Sequence, residues 1–269
     1  MKGRVLSIAG SDSGGGAGIQ ADIKAVTAMG AYCATAVTSV TVQNTQGVLA
    51  VHPLPSQLIR DQMDAVLGDL GADAIKIGMI GTVEAGEVIL AGMAGSRDIP
   101  VVVDPVLVAT TGARLGDDAV AEFLRTRLIP RGTLVTPNLA ELEALTGRPV
   151  SSEGQALEAA RYLLGLGVEA VLAKGGHGEG DTLTDYLVTE DDVRRFTHPR
   201  IDTTHTHGTG CTLASAIAAG IAQGMKLPSS VERACAFVHD AIGSAPGLGR
   251  GHGPLNHATW LEAGRRPSA

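Results

Sequence analysis

Short apolar runs alternate with helix-periodic segments along almost the whole chain, and no other feature limits the fold as much. Runs at 5–9, 34–42, 74–77, 101–103, 133–135 and 170–173 read as buried strands. Amphipathic helical patterns at 19–29, 55–70, 83–94, 117–128, 139–145 and 155–164 lie between most of them. Strands separated by helices predict a mostly parallel sheet covered on both faces, a three-layer α/β architecture. Residues 182–188 and 194–201 read instead as a polar-edged hairpin. The chain after Gly208 reads as mostly helical.

No internal repeat or composition break divides the chain, so residues 1–269 are expected to form one domain. That length can bury a substantial core. The core must be built from Ala, Val, Leu and Ile, because the chain has only one Trp, three Tyr and three Phe. The formal net charge is −7 and no long basic stretch occurs, so nucleic acid and anionic membranes are not expected partners. Cys33, Cys211 and Cys235 are too widely spaced for a zinc pair and odd in number, which fits a reducing compartment. The first apolar stretch runs directly into a glycine-rich loop and is too short for a signal peptide, so a cytoplasmic location is expected.

In open parallel sheets, ligands bind beyond the carboxyl ends of the strands. The unusual loops of this chain follow predicted strands. They are Gly10 to Gly18, Gln43-Asn44, Lys76 to Met79, Asp104-Pro105, Thr136-Pro137-Asn138 and Lys174 to His177. The loop from Thr206 to Cys211 opens an Ala-rich helix over 212–224. A Gly208-Thr209-Gly210 turn leading into a helix gathers free N–H groups and the positive end of the helix dipole, which makes an anion site. Cys211 at such a mouth is expected to have a lowered thiol pKa. The plainer alternative makes Cys211 a small core residue.

The first loop does not fit a dinucleotide fingerprint, since Gly14, Gly16 and Gly18 have the wrong spacing. A phosphate-binding Gly-Lys pair occurs nowhere in the chain. Asp12 and Asp22 are either polar contacts or, respectively, a turn residue and an exposed helix residue. Asn138 and Glu141 are placed either to share a Mg²⁺ ion with a bound phosphate or to form a helix N-terminal capping box. Asp104 carries the same ambiguity. The Gln43 amide could pair with an amino-heterocycle edge or simply cap a turn. His177, His205 and His207 make no metal-ligand pattern.

The run Gly10-Ser11-Asp12-Ser13-Gly14-Gly15-Gly16-Ala17-Gly18-Ile19-Gln20-Ala21-Asp22 resembles the opening of the hydroxymethylpyrimidine/phosphomethylpyrimidine kinases of thiamine biosynthesis. Val42 to Thr45, Lys76 to Met79, Asp104 to Val106, Thr136 to Glu141, Lys174 to His177, Thr206 to Cys211 and Gly251 to His257 follow in that family's order. The resemblance spans nearly the whole chain. It departs at His205, where the family usually has Asn, and at Leu107 and Thr111, which replace commoner Met and Ser.

The resemblance implies a ribokinase-like fold without a large lid domain, a homodimer, and two successive ATP-dependent phosphorylations. The first acts on 4-amino-5-hydroxymethyl-2-methylpyrimidine and the second on its monophosphate. It implies that Gly208, Gly210 and Cys211 hold the transferring phosphoryl group and face the substrate alcohol, with Lys174 reaching the ATP phosphates. Asn138 and Thr209 join Lys174 at the nucleotide. Glu141 and Asp104 organise Mg²⁺. Gln43, Met79, Gly10 and Asp22 contact the pyrimidine. Two rival expectations are a pyridoxal or pyridoxine kinase of the same fold and a non-catalytic sensor of a thiamine precursor.

Overall fold

The computed structural model describes residues 1–107, 112, 115–176 and 180–262. His177 and Thr111, singled out above, lie outside these. Nine strands join one sheet in the order β3-β2-β1-β4-β5-β6-β7-β8-β9. The strands are β1 (Arg4–Asp12), β2 (Tyr32–Asn44), β3 (Gly47–Pro53), β4 (Ala74–Ile77), β5 (Val101–Val103), β6 (Leu134–Val135), β7 (Val171–Gly176), β8 (Thr182–Val188) and β9 (Val193–Pro199). The six from β2 through β7 in sheet order are parallel. β3 at one edge and β8 and β9 at the other run antiparallel to their neighbours.

Successive strand residues feed two separate cores, as the period of two requires. Leu6, Ile8, Val101, Val103, Val135 and Val171 pack on one face, against α2 (Ser56–Asp69), α3 (Val83–Gly92), α4 (Asp118–Phe123), α5 (Leu139–Thr146) and α6 (Glu153–Leu164). Val5, Val102, Leu134 and Leu172 point the other way, onto α1 (Gly18–Ala28), α7 (Thr209–Ala222) and α8 (Leu227–Gly243). A short α9 spans Thr259–Glu262. The result is the three-layer arrangement expected from the alternation.

Two elements differ from expectation. The edge strand β3 was not foreseen; it pairs with β2 as a hairpin turning at Thr45 and Gln46, with Val42 opposite Ala50. The helix expected over 117–128 is α-helical only as far as Phe123. It then widens to i→i+5 bonding over Leu124–Leu128 and tightens over Ile129–Arg131, where Pro130 removes an N–H donor.

Candidate active site

The loops at the carboxyl ends of β1, β2, β4, β5, β6 and β7 converge on a cavity of about 760 Å³. The N-terminus of α7 closes it from the other layer. Gly208 is the N-cap of α7 with φ +82, and a Cβ there would collide with the carbonyl oxygen of Gly16. Only glycine satisfies both the left-handed backbone and this contact. The N–H of Thr209 is used locally, on the Thr206 carbonyl at 3.2 Å. Gly210 and Cys211 follow in the first turn, where N–H groups have no intrahelical acceptor. The expected anion turn therefore lies at the cavity wall, and Gly208, Thr209, Gly210 and Cys211 all line it.

Asp104, Asn138, Glu141 and Lys174 form a charged cluster beside that turn. The Lys174 ammonium lies 2.9 Å from Asp104 Oδ1 and 3.9 Å from Glu141 Oε2. Thr136 Oγ1 donates to the same Asp104 oxygen at 3.0 Å. Burial opposes ionisation of Asp104, but Lys174 and Lys76 outweigh it and hold the carboxyl below its usual range. Burial acts on Glu141 with less opposition and pushes it up to about 7. Asn138 and Glu141 also make a complete capping box: Glu141 N–H donates to Asn138 Oδ1 at 2.9 Å, and Asn138 N–H donates to Glu141 Oε2 at 2.8 Å. The two readings of this pair are thus compatible, since each side chain caps α5 while facing the cavity. Among the described residues, no three His, Cys, Asp or Glu side chains converge to hold a metal ion unaided.

The other end of the cavity is lined by Gly10, Met79, Thr41, Gln43, Asp12 and His207. Asp12 accepts N–H bonds from Gly14, Gly16 and Ala17 at 2.7–3.0 Å, and its Oδ2 lies 2.8 Å from His207 Nε2. Burial works against its charge, but His207 and these N–H groups keep it ionised below the ordinary range. The Gln43 amide nitrogen is 3.2 Å from the same His207 nitrogen. Asp12 and His207 are thus buried structural partners in the cavity wall, a pairing that 195 residues of sequence separation concealed.

Two expectations require correction. Asp22 does not line the cavity and is not an exposed helix residue. It is fully buried, bonded to Lys76, Ser7 and Ser215, because that face of α1 packs against β1 and α7. Cys211 does not have a lowered pKa. Burial raises it to about 11, against the opposing pull of Lys76 and the Gly18 N–H. The helix-terminus argument omitted the desolvation of a thiolate, which here is larger.

Several lining residues carried no readable signal. Asp185, His198, Cys235 and His239, from β8, β9 and α8, line the cavity beyond Lys174. The Gly175 N–H donates to Asp185 at 2.6 Å, and burial raises that carboxyl. A strap at residues 252 and 253 braces the Gln43–His207 end of the site: His252 N–H donates to the Thr45 carbonyl at 2.8 Å, and His207 N–H donates to the Gly253 carbonyl at 3.1 Å.

A mostly parallel three-layer sheet, an anion turn at a helix N-terminus and a buried Lys–carboxylate cluster together define a ribokinase-like small-molecule kinase. The comparisons narrow this class. The family model described as phosphomethylpyrimidine kinase matches residues 12–256, and the chain belongs to that family. It is 47% identical over 258 residues to a hydroxymethylpyrimidine/phosphomethylpyrimidine kinase of Rhizobium meliloti, covering 94% of this chain and 96% of that one. It is 48% identical over 261 residues to a thiamine biosynthesis bifunctional protein of Geobacter sulfurreducens; the match takes in 97% of this chain but only 53% of that longer protein. Among solved structures, an ADP complex of Bacillus subtilis pyridoxal kinase superposes with TM-score 0.89 at 32% identity, over 97% of this chain and 99% of that one. A phosphomethylpyrimidine kinase from Clostridium difficile superposes with TM-score 0.79 at 36% identity, over 90% and 100%.

Proposed function

We propose that this kinase transfers the ATP γ-phosphoryl group to the hydroxymethyl oxygen of 4-amino-5-hydroxymethyl-2-methylpyrimidine, and then a second group to the monophosphate. The observation that carries this reading is one continuous cavity with an amide-bearing apolar end at Gln43 and Met79 and a glycine turn with Lys174 at the other. The relatives with 44–47% identity that share this length are named for the pyrimidine reaction, whereas the pyridoxal kinases are 32–33% identical. A catalytically silent sensor would have no use for the buried Lys–carboxylate cluster.

In the transfer, the alcohol oxygen bonds to the γ-phosphorus as the bridge to the β-phosphate breaks, ADP leaves, and the hydroxyl proton is released. Catalysis of this kind rests on positioning and charge stabilisation. Gly208, Gly210 and Cys211 would hold the transferring group through backbone N–H donors. Lys174, with Asn138 and Thr209, would hold the nucleotide phosphates. Gln43 would pair with the aminopyrimidine edge, and Met79 and Gly10 would form its apolar bed. The oxygen donors Asp104 and Glu141, facing a site that admits phosphates and water, suit Mg²⁺. When bound there, the ion would draw charge from the phosphate oxygens. Cys211 would accept the hydroxyl proton.

No helix among the described residues is long and apolar enough to cross a membrane. We take the cytoplasm and a homodimer as the working setting. The deciding measurement is ATP consumption with Mg²⁺ and either hydroxymethylpyrimidine or pyridoxal. Consumption with the pyrimidine, followed by a second equivalent from the monophosphate, is expected. Turnover of pyridoxal alone, or binding without turnover, would overturn the reading.

A further inference from the structure

Among the largest side chains that the described residues bury completely is a lysine. Lys76, in β4, is wholly inaccessible, and its ammonium lies 2.9 and 3.0 Å from the two oxygens of Asp22. Asp22 is equally buried, and it also accepts from Ser7 Oγ in β1 at 2.6 Å and Ser215 Oγ in α7 at 2.7 Å. Four elements meet on one carboxylate. A buried ion pair of this kind is a weak device for stability, since matched apolar side chains hold a fold as well or better. The position of the pair is more informative than its strength.

Ser215 is one helical turn beyond Cys211 on α7, so the pair lies beneath the first turn of that helix. The ammonium lies behind the cavity wall, beside Gly78 and close to Ala9, which lines the cavity, while Lys76 itself is shut off from it. A Cβ at Gly78 would stand 2.8 Å from Nζ and about as close to the Ala9 methyl, so the backbone is bare where the cation comes up. The ionisable groups around it are Asp22 from α1, Cys33 from β2, Cys211 from α7, and Asp104 beyond β5, with Lys174 on the far side of Asp104. Asp22 is fixed in bonds to Lys76, Ser7 and Ser215, which holds the ammonium in place beneath the turn of α7 that carries Cys211.

We infer that Lys76, anchored by Asp22, is a positioning residue for phosphoryl transfer: a fixed buried cation beneath the N-terminus of α7 that stabilises negative charge at Cys211 and on the transferring group. It touches neither substrate. This rests on the reading of Gly208–Cys211 as the phosphoryl site.

The test uses the full chain with Lys76→Met, Asp22→Asn and the double variant, which removes both charges and leaves no unpaired one. Alkylation of Cys211 by iodoacetamide, followed site by site at fixed mildly alkaline pH, reports the charge at the sulfur. Lys76→Met should slow it and Asp22→Asn should speed it, because the thiolate loses a cation in one case and an anion in the other. A purely structural pair would loosen the site and move both in the same direction. Steady-state rates should show kcat falling about tenfold or more in Lys76→Met and in the double variant, less than the roughly 10²–10³ of a direct oxyanion donor. KM for pyrimidine and for ATP should stay close to the parent values. Should Lys76→Met not fold, the double variant decides. Labelling shifts of the same sign in both single variants, or kcat within twofold of the parent in the double variant, would overturn the inference. Gly210→Val measured alongside separates the two ideas, since its side chain would enter the turn beside Lys174: full activity there refutes the phosphoryl-site reading, whereas the labelling signs test Lys76 alone.

Discussion

Two effects act on Cys211 in opposite senses. The helix terminus, Lys76 and the Gly18 N–H favour the thiolate, while burial favours the thiol and wins, leaving the group near 11. At neutral pH the sulfur is therefore almost entirely protonated in the free protein. A scarce but strongly basic thiolate leaves a signature in the pH profile. If it accepts the hydroxyl proton, kcat/KM for the pyrimidine should climb about tenfold per unit from neutrality toward the thiol pKa, and Cys211→Ala should flatten the climb and lower kcat by roughly 10²–10⁴. A flat parent profile would show that the backbone donors carry the step. Gln43 offers a second residue-scale test. Its amide is already oriented by Thr41 Oγ1 at 3.2 Å and lies against His207. Gln43→Leu should cost about 1–3 kcal/mol in kcat/KM for the pyrimidine, by analogy with bidentate base readout. Nucleotide affinity, measured by calorimetry, should be unchanged; equal losses for both substrates would mean a general distortion of the loop.

At the scale of elements, α5 shows how one side chain serves two purposes. Glu141 caps the helix and faces the Lys174 end of the cavity. Gln keeps the capping bond, because its amide oxygen also accepts from the Asn138 N–H. Glu141→Gln should therefore melt within a few degrees of the parent while losing Mg²⁺-dependent turnover. The pH dependence has a definite sign. The folded carboxyl sits near 7 and the unfolded one near 4.5, so ionisation opposes folding increasingly as pH rises across that interval. The Gln variant should gain stability relative to the parent over that range and show no gain below it. Melts at several pH values would check this, and a gain on the acid side would contradict it. The elements themselves were largely legible, because buried parallel strands are apolar runs and their covering helices keep a clear period. β3 was missed for the complementary reason. Gly47–Pro53 is an edge with one paired neighbour, and its short apolar run Val48-Leu49-Ala50-Val51 is not buried and shows no alternation to mark a strand face. The Asp22–Lys76 pair was also unreadable, since α1 is buried on a face whose period contains a carboxylate. Nothing local reveals a partner 54 residues away.

At the scale of the molecule, β2 and β3 present an apolar surface at one edge: Val40 and Val42 are each nearly half exposed, and Leu49 is 74% exposed. Isolated exposed apolar residues need no explanation, but neighbours on one hairpin suggest a covered face. If the homodimer uses it, sedimentation should give two chains per particle, and Val42→Asp with Leu49→Lys should give one. A parent that sediments as a monomer would remove the dimer from the working picture. The active cavity was legible as a place, because its loops follow strand ends in order. Its depth was not, because burial, which no local pattern reveals, decides the charge states of Cys211 and Glu141.

The strap that carries His252 and Gly253 to Thr45 and His207 also bears on how the protein is made. The cavity wall around Gln43 comes from β1 and β2, the Gly208 turn lies beyond residue 200, and the bonds that brace this wall arrive only with residues 252 and 253. On a ribosome, the sheet can pair and its helices can dock while this end of the cavity still lacks its brace. The brace emerges after β9, α7 and α8, so a growing chain holds a nearly complete scaffold well before its cavity is finished.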